Sequence, residues 1–195
     1  MKSFDDKQLV SEFKAGKVEM FDELVNRHSR IIYQTVFGLL HDHHDAEEVV
    51  QDAFMRAFRG LKNFRGDANF GTWLHRIAVN LARNKYHWNR RRGSEVNLSI
   101  QALADNPDGN GEELPLPDER YKPGAALEKK EEMQELMQNM NELSDSLRET
   151  MVLRHVHNMP YEKIAEIQKC RTGTVKSRIA RGREILRNVL KVREK

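Results

Sequence analysis

The sequence is short of several things, and each shortage removes a class of protein. It has one cysteine, Cys170, so neither an internal disulfide nor a multi-thiolate zinc site can be assembled, which fits a reducing compartment. No stretch reaches the roughly 18 apolar residues of a membrane-spanning helix. The opening MKSFDDKQLVSEF places acidic residues where a secretory leader carries its apolar segment. A soluble, cytoplasmic protein is expected. No segment alternates apolar and polar residues like a half-buried strand, and no unit repeats at a fixed period. Hydrophobic residues make up 38% of the 195 positions and charged residues 32%. That balance suits small helical domains with much exposed surface better than one thick core.

What remains is helix. Phe21, Leu24, Val25, His28, Ile31, Ile32, Val36, Leu39 and Leu40 recur at three- and four-residue steps. So do Ala46, Val49, Val50, Ala53, Phe54, Ala57, Phe58 and Leu61, and again Phe70, Trp73, Leu74, Ile77, Ala78 and Leu81. Each set is one apolar stripe of period 3.6. With a short leading helix near Asp5 to Ala15 they predict a small bundle over residues 1–93. Asp45 and Glu48 have the spacing of a capping box, and NFRGDANF (63–70) interrupts the stripe as a loop. Proline is scarce except in one place: four of the five prolines fall between Pro107 and Pro123. Residues 94–124 also hold seven acids against two bases, a net of −5, the composition of an acidic flexible linker. Helix is expected to resume near Ala125, with Leu136, Met137, Met140 and Leu143 on its buried side. A second small helical domain over residues 125–195 completes an all-α protein.

The end of the chain has a distinct charge. From Asn158 to Lys195 there are eleven bases and four acids, a net of +7. MPYEKIAEI (159–167) is a short helix with Pro160 suited to its first turn. Gln168 to Arg171 is a tight connection, and Thr172 can cap the next helix. Short helix, turn and basic helix make a helix-turn-helix, whose second helix enters the DNA major groove. With Val175 at zero degrees on a wheel, Ile179, Gly182 and Leu186 fall within about 40° of it and face the core. Ser177, Ala180 and Arg181 fall opposite, with Lys176 and Arg187 beside them. Small residues there allow close approach to another surface, and bases supply phosphate contacts. Spacing alone leaves a cationic, merely solvated face open as the other reading.

YEKIAEIQKCRTGTVKSRIARGREIL (161–186) resembles the C-terminal domain of bacterial extracytoplasmic-function (ECF) sigma factors, with GTVKSR followed by ARGRE as the main signal. DAEEVVQDAFMRAFRGLKNFRGDANFGTWLHRIAVNLARN (45–84) is similar to that family's N-terminal signature. The resemblance covers about Leu9 to Arg92 and Ala125 to Leu190. It implies a protein that binds core RNA polymerase and directs it to selected promoters, in a stress or envelope response, without catalysis, cofactor or small-molecule substrate. The partners implied are core RNA polymerase, promoter DNA and an anti-sigma factor, commonly a membrane protein.

By resemblance the second domain reads −35 duplex. Lys176, Ser177, Ala180 and Arg181 meet bases and backbone, Arg178 meets phosphate from the side, and Arg171, Thr172 and Thr174 lie at the helix N-terminus, where phosphate is favoured. The first domain reads the melted −10 element, whose bases need stacking surfaces and groups that bond their edges. Phe64, Phe70 and Trp73 supply rings; Asp67, Asn69 and Asn80 supply polar edges. Arg76, Arg83 and Lys85 begin a run of six bases without an acid from Arg76 to Gly93, suited to duplex phosphate. The acidic start of the preceding helix (Asp42, Asp45, Glu47, Glu48 and Asp52) belongs to the segment with which this family grips the polymerase's largest subunit. Glu48, Val49, Gln51, Asp52, Met55 and Arg56 are the candidates.

The sequence departs from the family in the turn, where Lys169 replaces a frequent glycine and Arg171 a common proline. A lysine at positive φ costs about 1 kcal/mol. HDHHD (41–45) has metal-ligand residue types, but five adjacent residues rarely converge on one ion, and no metal site is expected. Cys170 suits a small residue buried in the turn. Two other classes touch parts of the pattern. A conventional helix-turn-helix regulator would bind its site tightly without polymerase. A metal-dependent phosphohydrolase would need dispersed ligands that the sequence does not show.

Overall fold

A computed structural model of the chain describes residues 4–96, 140, 142–156 and 158–193. The described residues form helices and no strand, as the all-α expectation requires. In chain order these are α1 (Asp6–Lys14), α2 (Met20–Leu40), α3 (His43–Leu61), α4 (Phe70–Val96), α5 (Asp145–His155), α6 (Tyr161–Gln168) and α7 (Thr172–Arg193). The helix expected to resume near Ala125, and the linker beyond Val96, lie outside the described residues. The linker's first residues do not: α4 continues through Val96, past the boundary expected at Gly93.

The first bundle follows its apolar stripes. α2 buries Leu24, Ile32, Val36 and Leu39, α3 buries Ala46, Val49, Ala53, Ala57 and Leu61, and α4 lays Leu74, Ala78 and Ala82 against both. Ala53, Ala57, Ala78 and Ala82 have no exposed surface; their small side chains let the backbones approach. α1 closes one end. It is held by a reciprocal cap in which Asp5 Oδ1 accepts the Gln8 N–H at 2.7 Å and Gln8 Oε1 accepts the Asp5 N–H at 2.9 Å, worth about 1 kcal/mol.

The cap of α3 differs from expectation. Asp42, not Asp45, is the N-cap: its backbone is extended, and its carboxylate accepts the Asp45 N–H at 2.8 Å. Asp45 is already helical and turns toward α4, where it meets Lys85 Nζ at 3.1 Å and accepts a bond from the Asn89 amide. The start of α7 shifts in the same way. Thr172 is its first helical residue, and the Arg171 carbonyl accepts the Thr174 N–H at 2.9 Å.

In the second domain Met140 and Leu143 are buried as expected, and Leu147, Met151, Leu153, Ile164, Ile167, Val175 and Ile179 complete the packing. α6 and α7 form the helix-turn-helix. Lys169 caps α6 with left-handed backbone at φ 51°, ψ 47°, the strained geometry anticipated for a non-glycine residue here. Gly182 sits where α7 crosses α5: a β-carbon there would lie 3.0 Å from Cγ and Sδ of Met151.

The two domains meet along a seam, α2 against α5 and α4 against α6. Gly38 allows the first contact, since a β-carbon at this position would lie 3.0 Å from Val152 Cγ1. The Arg148 guanidinium, on a residue only 4% exposed, lies 3.7 Å from the Tyr86 ring centroid and donates to Asp145 at 2.7 Å. Its Nη1 has no partner, and neither ring nitrogen of His41 has one. A buried donor or acceptor left unsatisfied costs about 1–3 kcal/mol, so the seam is a costly fit at its polar centre.

Two measurements check these strains. Lys169 is exposed, so Lys169→Gly removes the left-handed penalty without opening a cavity. Stability is expected to rise by about 1 kcal/mol, or 2–4 °C in Tm by calorimetry. Burial, and secondarily the nearby Arg148 charge, pushes the His41 imidazole down from 6.5 to about 4. The unfolded chain therefore takes up a proton in this window that the folded one resists. The contribution is intact above pH 6.5 and is lost as pH falls toward about 4. Between pH 7 and pH 5 the parent should lose more Tm than His41→Asn, which keeps a side chain that tolerates this residue's left-handed backbone (φ 59°).

Candidate nucleic-acid and polymerase-binding surfaces

The second helix of the helix-turn-helix displays the face its wheel requires. Lys176, Ser177, Ala180 and Arg181 are exposed, while Val175, Ile179 and Gly182 are buried. Ser177 Oγ bonds back to the Thr174 carbonyl at 2.9 Å. Arg171 is exposed at the helix start, with Thr172 and Thr174 half-buried beside it. Arg178 has a structural engagement as well: its Nη1 donates to Gln168 Oε1 at 2.9 Å and lies 3.8 Å from Cys170 Sγ. It braces α7 against the end of α6, and Cys170 is a half-buried turn residue.

The α3–α4 loop gathers the expected aromatic and polar groups. Phe64 and Trp73 have ring centroids 4.8 Å apart, and Phe70 lies 6.0 Å from Trp73. Phe70 is 2% exposed and packs edge-on to His28, so its ring belongs to the core. Phe64 and Trp73 are half-buried, and Asp67 and Asn69 are exposed. Asn69 also accepts the Thr72 N–H at 2.7 Å, fixing the entry to α4. Gly66 at φ 81° makes the bend. The loop and α1 enclose a cleft of about 450 Å³ lined by Lys7, Lys14, Phe64, Arg65, Asn69 and Phe70 among others. Lys14 donates to the Phe64 carbonyl and stands over its ring. The sequence pattern missed Lys7 and Lys14 as contributors because α1 is distant in the chain and its lysines read as solvated, and it passed over Arg65 beside Phe64 in the loop.

On α3, Glu48, Gln51, Asp52, Met55 and Arg56 are exposed, and Met55 presents 49% of its surface. Val49 is 4% exposed and packs in the core, so it cannot contribute a contact. Phe58, assigned to the apolar stripe, is 41% exposed while touching Phe13 and Phe21 edge-on. It extends the Met55 surface, and nothing in the spacing separated it from its buried neighbours.

α4 departs most from expectation. Asn80 is exposed as the sequence suggests. Lys85, by contrast, is held by Glu48 at 2.5 Å and Asp45 at 3.1 Å, and the Glu48 bond raises its pKa. Arg83 forms a two-pronged pair with Glu149 of α5, Nε to Oε1 at 2.6 Å and Nη2 to Oε2 at 2.8 Å. That bond raises the Arg83 pKa against the opposing effect of burial. Arg76 donates from Nε and Nη2 to the Glu166 carbonyl of α6, at 3.1 and 2.7 Å. Of the three bases expected on DNA, Arg76 and Arg83 are here bound to the other domain and Lys85 to α3 of its own. Trp88, 45% exposed, lies between Lys85 and Arg92, at 5.2 and 4.6 Å. Its place among bases rather than on the apolar stripe was the available signal.

Among the described residues no group of three or more histidine, cysteine, aspartate or glutamate side chains could hold a metal, and no helix is long and apolar enough to cross a membrane. Within HDHHD, His43 stacks on Phe37 at 4.5 Å and lies 2.6 Å from the Tyr33 hydroxyl, while His41 is half-buried with both ring nitrogens shielded in the seam.

Comparison with known proteins gives two family matches in the expected order: Sigma-70 region 2 over residues 24–92 and Sigma-70, region 4 over residues 133–186. The chain is 36% identical over 186 residues to the ECF RNA polymerase sigma-E factor of Escherichia coli, covering 94% of this chain and 93% of that one. It is 34% identical over 185 residues to the RNA polymerase sigma-H factor of Pseudomonas aeruginosa, covering 95% and 93%. Among solved structures, the fold is similar to that of CnrH in complex with the cytosolic domain of CnrY, with a TM-score of 0.68 at 24% identity over 96% of this chain and 97% of that chain. The sigma factor RpoE in complex with the anti-sigma factor NepR from Bartonella quintana matches with a TM-score of 0.56 at 27% identity, covering 88% and 97%. With region 2 on the bundle that carries the loop cleft, region 4 on the helix-turn-helix and relatives matched along nearly their whole length, the chain belongs to the ECF group of RNA polymerase sigma factors.

Proposed function

We propose that this chain joins core RNA polymerase in the cytoplasm and gives it promoter choice, with residues 1–93 holding the polymerase and the melted −10 strand and residues 125–195 holding the −35 duplex. The observation that carries this reading is the exposed row Lys176, Ser177, Ala180 and Arg181 on the second helix of the helix-turn-helix. Arg181 and Lys176 have the donors that recognise guanine edges and phosphate, and Ala180 leaves room for the groove. Arg171, Thr172 and Thr174 anchor backbone at the helix N-terminus. Arg178 acts through its brace to Gln168, holding the row at a fixed angle.

The cleft beside Phe64, Asp67, Asn69 and Trp73 suits an unstacked base, with rings for its face and polar groups for its edge. Phe70 supports the cleft from the core, and Asn80, two turns along α4 from Trp73, bonds a further base edge. Arg76 and Arg83 meet phosphate once released from the other domain. Lys85 acts at one remove, orienting Glu48. Glu48, Gln51, Asp52, Met55 and Arg56, joined by Phe58, form the polymerase face. The work is done by binding, with no catalytic step, cofactor or small-molecule substrate. The Bartonella relative solved with an anti-sigma factor supports a similar protein inhibitor here, and kinship with ECF factors supports a role in a stress or envelope response.

Transcription in vitro with core polymerase on a promoter library tests the assignment. The parent chain should support initiation from a defined set of templates. Arg181→Ala should relax dependence on −35 sequence by about tenfold or more, the worth of a base contact. Asn80→Ala should reduce initiation at −10 variants. Both residues are exposed, so both variants should keep the parent's Tm. Parent-like promoter choice by both variants would show the site residues to be wrong, and a polymerase left silent by the parent would remove the function itself.

A further inference from the structure

We infer that Trp88 is a further stacking station for promoter DNA, where one unpaired nucleotide lays its base on the indole and its phosphate on Arg92. This rests on the sigma-factor reading and adds to it a contact outside the α3–α4 loop. Trp88 stands in line with residues already assigned to the strand. Asn80, Asn84, Trp88 and Arg91 follow one another at steps of four, four and three, which keeps them within about 80° on one side of α4. All four are exposed. Trp73 lies on the same side two turns before Asn80. The row therefore runs from the loop cleft to the end of the helix, with an indole near each end.

The ring has no structural task that explains it. Trp88 is 45% exposed and stands outside the hydrophobic core that Trp73 joins. Its partners are cations, Lys85 Nζ at 5.2 Å and the Arg92 guanidinium at 4.6 Å from the ring centroid. These two differ in freedom. The Lys85 side chain is 16% exposed and pinned by Asp45 and Glu48, so it supports the ring in a fixed position. Arg92 is exposed, one turn farther along. A guanidinium over an exposed ring gains less than a base stacked on it. An incoming base therefore displaces Arg92, and the freed fork of donors meets the phosphate of the same nucleotide. Bases inside a duplex have both faces covered, so the ring takes an unpaired one.

Charge makes the occupant nucleic acid. Arg90, Arg91 and Arg92 follow the ring, and no acid occurs from Arg76 to Gly93. The acids that α3 and α5 bring to this end are already met by α4, Asp45 and Glu48 by Lys85 and Asp145 by His87. They offer little repulsion to a phosphate. Spacing sets which nucleotide arrives. Eight helical residues carry Trp88 about 12 Å from Asn80, or about three to four steps along a stacked strand.

The experiment uses holoenzyme formed from core polymerase and the full chain, on a template from which the parent initiates. 2-Aminopurine, whose fluorescence an indole quenches on stacking, replaces one base at a time in each strand of the melted segment. The base read through Asn80 is the one whose identity stops mattering in Asn80→Ala. About three to four nucleotides from it, one position should be dim with the parent and bright with Trp88→Ala. The lifetime of the open complex should fall about fivefold or more in Trp88→Ala and stay within about twofold of the parent in Trp88→Phe. Arg92→Gln should shorten the lifetime and leave that position dim. Both residues are exposed, so the variants should keep the parent's Tm. If no position brightens with Trp88→Ala, or all brighten alike, the station is overturned. Weaker binding of Trp88→Ala to core polymerase, with an unchanged lifetime on DNA, also overturns it and makes the ring a protein contact. Should the parent initiate without such a position, only the station is lost; should core polymerase stay silent with the parent, the sigma-factor reading beneath it falls as well.

Discussion

The apolar face that α4 turns toward α2 and α3 is the constraint on which the remainder rests. Leu74, Ala78 and Ala82 are fully enclosed there, and burial of such side chains is the main favourable term in a bundle of this size. Once that face is fixed, a period of 3.6 fixes the others. One side presents Lys85 to the acidic start of α3, and another presents Arg76, Arg83 and His87 to the second domain with Asn80 exposed among them. The helix cannot rotate to serve one surface without exposing alanines and leucines. Its polar residues are thus placed by packing first and by recognition second.

The sequence made most of the fold legible because each stripe is long and periodic. Leu24 to Leu39, Ala46 to Leu61 and Leu74 to Leu81 leave little freedom in which face is buried, and the exposed row on α7 followed from one wheel. Boundaries were less legible. Asp42 and Asp45 both suit a cap, and only the backbone angle at Asp42 decides between them. Val49 and Phe58 show the limit at single positions. Both lie near the edge of the α3 stripe, and the packing of α1, which depends on a turn at Gly16, determines how much of Phe58 is covered.

The seam was not legible at all. Arg83 and Glu149 are 66 positions apart, and an ion pair across such a gap leaves no local pattern. A run of bases without acids is equally suited to phosphate, to solvent and to a carboxylate elsewhere in the chain. Resemblance assigned these arginines to DNA, and the closed geometry gives them a second partner of the same chemical kind. Both uses follow from one property, the planar fork of donors that lysine lacks. Two weak readers on one chain gain from a shared scaffold only when the scaffold holds them at a useful separation.

The missing β-carbon at Gly182 has a mechanical corollary. With no side chain between them, α7 lies directly on Met151 of α5, and the Arg178 brace ties its other flank to α6. The reading helix therefore has no slack in which to tilt. When its row of side chains meets a groove of imperfect width, the accommodation must come from the double helix. Promoters whose −35 base steps flex cheaply would be favoured even at positions that no side chain touches.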